Sequence, residues 1–140
     1  MFNVLTSRIL IFIILCSFLC LSISHSKETS DYLKGMNFYK KGKYEEAVKS
    51  FLSALKKEPD NAEIYNYLGR AYYSLENYQE SISAYKKAIE FNPVNGSYHY
   101  NLGIAYEKTG DIELAKTSYE EAITLNSADS DFHNRLGGVY

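Results

Sequence analysis

The chain is expected to be all-α, a one-dimensional stack of antiparallel helix pairs, and three features of the sequence predict this. First, one pattern recurs every 34 residues. Gly35, Gly69, Gly103 and Gly137 form one column, Phe38, Tyr72, Tyr106 and Tyr140 a second, Phe51, Tyr85 and Tyr119 a third, and Ala54, Ala88 and Ala122 a fourth. A fixed period of this length marks a stacked repeat array, in which each unit buries its apolar face on its neighbour. Second, apolar residues within a period fall at helical spacing, as in Ala47, Val48, Phe51, Ala54 and Leu55. Third, helix breakers recur in register: Pro59 matches Pro93, and Gly42 matches Gly110. The 140 residues make one domain at most.

Taken in order, the first helix is expected over Glu28–Lys41, ended by Gly42, which tolerates a left-handed turn. The second runs over Tyr44–Lys57, and its small Ala47 and Ala54 let the paired helices approach closely. Pro59 bars continuation, and Asp60-Asn61 offers a cap to the next helix. Repeat two places helices at Ala62–Leu75 and Tyr78–Phe91. Glu76 occupies the column of Gly42 and Gly110, and the following Asn77 is the residue better suited to a positive φ. Asn92-Pro93 closes this unit. Repeat three spans Gly96–Asp129, with a turn at Gly110-Asp111, Asp111 as its cap, and Ser127 where a proline is expected. A fourth unit offers one helix, Ser130–Tyr140. The repeats therefore fall at about 28–61, 62–95 and 96–129, with a partial one at 130–140, inside a repeat region of 27–140.

These columns resemble the tetratricopeptide repeat, whose pattern is a large aromatic, Leu-Gly, Tyr, then Ala, an aromatic and Pro. The central copy reads Tyr65-x2-Leu68-Gly69-x2-Tyr72, then Ser81-x3-Tyr85, Ala88 and Pro93. The next reads His99-x2-Leu102-Gly103-x2-Tyr106, then Ala115-x3-Tyr119 and Ala122. The first departs at Asp31 and Lys34 and rejoins at Gly35, Phe38, Ala47, Phe51, Ala54 and Pro59. The fourth begins His133-x2-Leu136-Gly137-x2-Tyr140. The resemblance implies a right-handed superhelical solenoid, with these residues packing the repeats. It also implies a concave groove lined by the first helix of each pair. Beside the Leu-Gly positions the groove residues are expected to be Tyr32, Met36, Tyr39 and Lys40, then Asn66, Arg70 and Tyr73, then Tyr100, Ile104 and Lys108, and finally Asn134. Tyr and Arg carry binding energy at interfaces, and Asn amides hold a peptide backbone. Some family members clamp the C-terminal carboxylate of chaperones with a Lys, Asn, Asn, Lys, Arg set. Here those positions hold Tyr32, Met36, Tyr67, Ser97 and Asn101 in one frame and Asn66, Arg70, Asn101, Asp131 and Arg135 in the other. Only Asn101 and Arg135 of the second frame match, so chaperone-tail binding is disfavoured.

Ahead of the repeats, Arg8 precedes an apolar run from Ile9 to Ile23, followed by Ser24, His25 and Ser26. This is the layout of a secretory signal over residues 1–26, with small residues set before a cut at His25 or at Lys27. An uncleaved membrane anchor at residues 9–23 is the alternative, although its 15 residues fall short of the roughly 20 that cross a bilayer. Lys27, Lys34, Lys40, Lys41 and Lys43 would then draw the repeats to the cytoplasmic side. Lipidation at Cys20 is a third reading, opposed by the bulky Leu19 before it. Export to the periplasm or medium is the expected location.

Composition narrows the chemistry. Net charge is −2, without the basic face that nucleic-acid binding needs. Cys16 and Cys20 both lie in the leader, so the repeats hold no thiol for a disulfide or metal site. His99 and His133 stand one repeat apart in the Tyr65 column, on successive layers, and read as packing residues. Glu45-Glu46 and Glu120-Glu121 are sequence neighbours that point apart on a helix. No phosphate loop, GxSxG, HExxH or CxxC occurs. The expected function is a non-enzymatic scaffold, without cofactor or metal, that binds a partner protein or an extended peptide. Membrane contact is limited to the N-terminal segment. Two alternatives stand beside it: the recognition arm of a larger enzyme continuing past Tyr140, and self-association. The second draws on Leu136 and Tyr140, core-type residues with no following helix to cover them.

Overall fold

The computed structural model describes residues 31–126 and 130–139. The leader, the start of the first helix at Glu28, the Ser127 junction and Tyr140 lie outside the described residues. Seven helices account for nearly all of the rest: α1 over 31–40, α2 Tyr44–Leu55, α3 Ala62–Ser74, α4 Tyr78–Phe91, α5 Gly96–Thr109, α6 Ile112–Leu125 and α7 Ser130–Val139. There is no strand among the described residues. From α2 to α7 each helix packs on the next, and α3 also meets α5, so the array grows along one axis as a solenoid.

One contact, repeated three times, sets the spacing inside each helix pair. A Cβ built on Gly35, Gly69 or Gly103 lies 2.5, 2.6 or 2.5 Å from the ring of Phe51, Tyr85 or Tyr119. The ring sixteen positions later lies against the glycine backbone, and no other residue admits it so closely. Gly137 differs from the packing role expected of it: it is exposed, and a Cβ there meets nothing within 4 Å.

Ala47, Ala71, Ala88, Ala105, Ala115 and Ala122 are wholly buried where helices cross. Around them one cluster gathers Phe51, Ala54, Ile64 and Leu68. A second gathers Ile82, Tyr85, Leu102, Tyr106 and Tyr119, with Leu136 packed on its edge. Ser81 replaces the column's alanine and is also fully buried; its hydroxyl donates to the Gly69 carbonyl at 2.8 Å, so no polar group is left orphaned. Phe38 and Tyr72 are half-buried against the first cluster, and Tyr65 stacks on Phe91 at 5.6 Å between centroids.

The turns inside the pairs share one hydrogen-bond scheme. Lys43, Asn77 and Asp111 donate their amides to the carbonyls of Phe38, Tyr72 and Tyr106, five residues back. This closure is the Schellman motif, which needs a left-handed residue just before the donor. Gly42 and Gly110 fill that place with φ of 72° and 82°. In repeat two Glu76 fills it at φ 61°, while Asn77 has φ −82°. The expectation that Asn77 takes the positive φ is thus corrected: the hydrogen-bond register, not residue preference, chooses the position. Asp111 likewise makes no side-chain cap, because its carboxylate accepts from the Thr109 hydroxyl at 2.7 Å. Between pairs, Asn61 caps α3 by accepting from the amides of Glu63 and Ile64, and Asn95 caps α5 through Ser97. Helix α2 ends at Leu55, two residues short of the expected Lys57, as Lys57 and Glu58 both turn their amides onto the Ala54 carbonyl ahead of Pro59. Helix α4 ends two residues before Pro93.

Candidate functional site

The first helices of successive pairs, α3, α5 and α7, line an open channel of about 620 Å³. From α3 come Glu63, Asn66, Tyr67 and Arg70. This stripe repeats every three or four residues, as one face of a helix must. Asn95, Ser97, Tyr98, Tyr100 and Asn101 come from the cap and body of α5, and Asp131 and Phe132 from the first turn of α7. A smaller recess of about 160 Å³ continues toward α1, bounded by Tyr39, Arg70, Tyr73, Asn101 and Ile104, with Tyr85 at its base.

Of the residues expected to face the groove, Tyr39, Asn66, Arg70, Tyr73, Tyr100 and Ile104 line one or both of these hollows. Tyr32 and Met36 are instead half-buried in packing; the Tyr32 ring lies 6.2 Å from Phe51 and 6.0 Å from Tyr67. Lys40, Lys108 and Asn134 are exposed and line neither hollow. The lining begins one helical turn ahead of the expected stripe. The helix starts supply Glu63, Ser97 and Asp131, followed by Tyr98 and Phe132, and the position before Leu68 and Leu102 supplies Tyr67 and Asn101. Carrying the helical spacing back from Asn66 to Glu63, and across by 34 to Ser97 and Asp131, finds this ring of residues.

Two features shape the channel floor. Asn101 Nδ2 donates to Asn66 Oδ1 at 2.9 Å, fixing both amides although Asn66 is only 9% exposed. The pair leaves the Asn66 amide nitrogen as a donor group and the Asn101 amide oxygen as an acceptor, the complement of a peptide group. Arg70 is held between two rings, its guanidinium carbon 5.1 Å from the centroids of both Tyr39 and Tyr67. Such stacking orients a guanidinium while leaving its edge donors available. Among the described residues no carboxylate forms an ion pair with it.

The walls are aromatic. Tyr100 stacks on Phe132 at 4.8 Å and tilts against Tyr119 at 5.7 Å. Burial, followed by the nearby Glu63 carboxylate, holds the Tyr98 hydroxyl above the ordinary tyrosine range; for Tyr32 burial comes first and a hydrogen bond to Glu63 second. Both hydroxyls therefore stay protonated donors at neutral pH. Arg135, which sits in a clamp position, is already engaged: its Nε donates to Glu107 Oε2 at 2.7 Å, and the Tyr119 hydroxyl donates to the same oxygen. That network ties α7 to α5 and α6. His99 hydrogen-bonds the Pro93 carbonyl at 3.0 Å across the α4–α5 turn. Among the described residues no group of three or more His, Cys, Asp and Glu is placed to hold a metal.

Comparison with known proteins agrees with this architecture. Models described as tetratricopeptide repeat match residues 32–96 and residues 96–129. Curated protein sequences give no match. Among solved structures, the first TPR domain of Spaghetti (RPAP3) bound to the HSP90 peptide SRMEEVD is similar with a TM-score of 0.78 at 24% identity, over 81% of this chain and 90% of that one. The second TPR domain of human RPAP3, in complex with the HSP70 peptide SGPTIEEVD, gives 0.78 at 23% identity over 82% and 96%. MamA gives 0.79 at 24% identity over 86% of this chain and 71% of that one. At these identities the likeness is one of fold.

Proposed function

Because this chain belongs to the tetratricopeptide repeat family, with matched repeats over more than half its length, we propose that it is a non-catalytic scaffold that holds an extended peptide, or an extended segment of a partner protein, in the channel across α3, α5 and α7. The observation that carries this reading is the Asn66–Asn101 amide pair set in the floor of an open, aromatic-walled channel. A peptide without internal hydrogen bonds needs its backbone donors and acceptors met, and the pair offers one of each. Solenoids of the same fold have been seen with HSP90 and HSP70 peptides. The lining here differs from the clamp those ligands suit: Asn66 and Asp131 stand at its two Lys positions, Arg70 stands at an Asn position, and Arg135 is occupied by Glu107. The ligand is therefore of a different charge pattern. With the leader of residues 1–26 acting as a secretory signal, the scaffold works outside the cytoplasm.

The test is to pan a random peptide library on the purified repeat protein. Peptides that bind the wild type should lose at least tenfold in affinity to Asn101→Ala and to Tyr100→Ala. Recovered peptides that bind both variants as well as the wild type would place the interaction elsewhere.

A further inference from the structure

The charges in the channel are laid out in space. Arg70 lies at one end, held over the rings of Tyr39 and Tyr67 and without a carboxylate of its own among the described residues. Glu63, exposed on the same face of α3, lies seven residues earlier, and Asp131 lines the same end from α7. Seven residues of helix put Glu63 and Arg70 about 10 Å apart along the axis at ~1.5 Å per residue. The channel is thus negative at one end and positive at the other, with the Asn66–Asn101 amides between.

We propose that the channel selects peptides by opposite charge at a fixed spacing: an acidic side chain on Arg70 and a basic side chain three residues away on Glu63. The spacing follows from chain geometry. A polyproline-II segment rises ~3.1 Å per residue and turns once every three, so residues i and i+3 point the same way about 9 Å apart. A β-extended segment puts i and i+3 on opposite sides, and its same-side neighbours fall at about 7 or 13 Å, which fit the 10 Å gap less well. Polyproline II has no internal hydrogen bonds, so its backbone is open to the amide pair. Guanidinium donors take a carboxylate in forked geometry, and the rings that stack on Arg70 hold the fork in place. Glu63 is the natural seat for a lysine ammonium, with Asp131, two repeats on in the same channel, adding negative potential. A wholly acidic tail would satisfy Arg70 but meet Glu63 and Asp131 with like charge.

This inference rests on the peptide-channel reading, and its test separates the two. Fluorescein-labelled peptides with Lys and Glu three apart, in both chain orders, are titrated against the protein by anisotropy at low salt. The comparison set carries the same residues adjacent, Glu at both sites, Lys at both sites, Gln at both sites, and the tail sequence SRMEEVD. The better Lys/Glu order is expected to bind at least fivefold tighter than every comparison peptide, with the advantage shrinking in 0.5 M salt. Glu63→Lys, a change at an exposed position that gives up one hydrogen bond with Tyr32, is expected to transfer the preference to the Glu/Glu peptide. Equal binding of the Gln/Gln peptide, tighter binding of SRMEEVD, or no transfer of preference overturns the charge-spacing proposal while leaving the channel as a peptide site. Failure of every peptide up to 1 mM, roughly a 4 kcal/mol threshold, overturns both.

Discussion

Replacing Gly69 by Ala tests the contact that spaces the helix pairs. The new Cβ falls 2.6 Å from Tyr85 Cε1 and 2.7 Å from Cδ1. Carbon atoms rest at about 3.5–4.0 Å, so roughly 1 Å of separation has to be made. The Tyr85 ring is 3% exposed and, among the described residues, borders open space only at the recess beside Tyr39 and Tyr73, so α3 and α4 must part or the ring must leave its rotamer. Overpacking of this kind costs about 1–3 kcal/mol, and the severity of the contact puts it toward the upper part of that range. Alanine recovers about 1 kcal/mol of helix propensity in a helix interior. The net expectation is a loss of about 1–2 kcal/mol. Gly137→Ala is the internal control: the same exchange, in the same column, with open space around the Cβ, is expected to gain up to about 1 kcal/mol. Urea unfolding followed by far-UV circular dichroism reads both, with hydrogen exchange of α3 and α4 amides to localise the effect if the array unfolds in stages. If Gly69→Ala is as stable as Gly137→Ala, ring-on-glycine packing is not what fixes the interhelical distance.

Further expectations follow from single residues. Glu76→Gly removes a side chain from a left-handed backbone (φ 61°) that its counterparts Gly42 and Gly110 adopt freely; it should stabilise by about 0.5–1 kcal/mol in the same unfolding assay. Asp31 joins α1 to α2: hydrogen bonds from Lys57 at 3.0 Å, then from Ser53 at 3.1 Å, hold its carboxyl below the ordinary 3.8. Its folded pKa is depressed, so its contribution is complete above the unfolded value and is lost as pH falls through the folded one. Wild type should lose stability relative to Asp31→Asn as pH drops below about 4, seen in thermal melts from pH 6 to 2. If the leader is a cleaved signal, intact mass of the exported protein will give an N-terminus at His25 or Lys27; retention of Met1 would favour the anchor at residues 9–23.

The fold was legible because packing repeats. Gly69, Tyr85 and Ala88 recur at 34-residue intervals since each must meet the same neighbour in every layer. Helix ends were legible where chemistry forces them, as at Asn61 and Pro93, and less so at Glu76, where the turn's hydrogen bonds impose a conformation that the residue does not favour. The channel was half legible. Asn66, Arg70 and Tyr100 fall on an evident helical stripe, but Tyr67 and Tyr98 read as ordinary aromatic filler among 14 tyrosines, and only the stacking of layers shows that they look into the groove. Lys40 and Lys108 differ in the other direction: helical spacing brings them near the stripe, while in the fold they are exposed and line neither hollow. Asp131 was visible as a mismatch to a clamp, but its place in the same channel as Glu63, 68 residues away in sequence, shows only once the layers are stacked.

The most direct measurement of the central idea is an amide NMR titration of ¹⁵N-labelled protein with a peptide recovered by panning. Binding in the channel predicts shifts concentrated at Asn66, Tyr67, Arg70, Tyr98 and Asn101, on adjoining faces of α3 and α5. Shifts gathered instead around the exposed apolar side chains of the second helices, Leu52 on α2 and Leu114 on α6, with the channel residues unmoved, would contradict it.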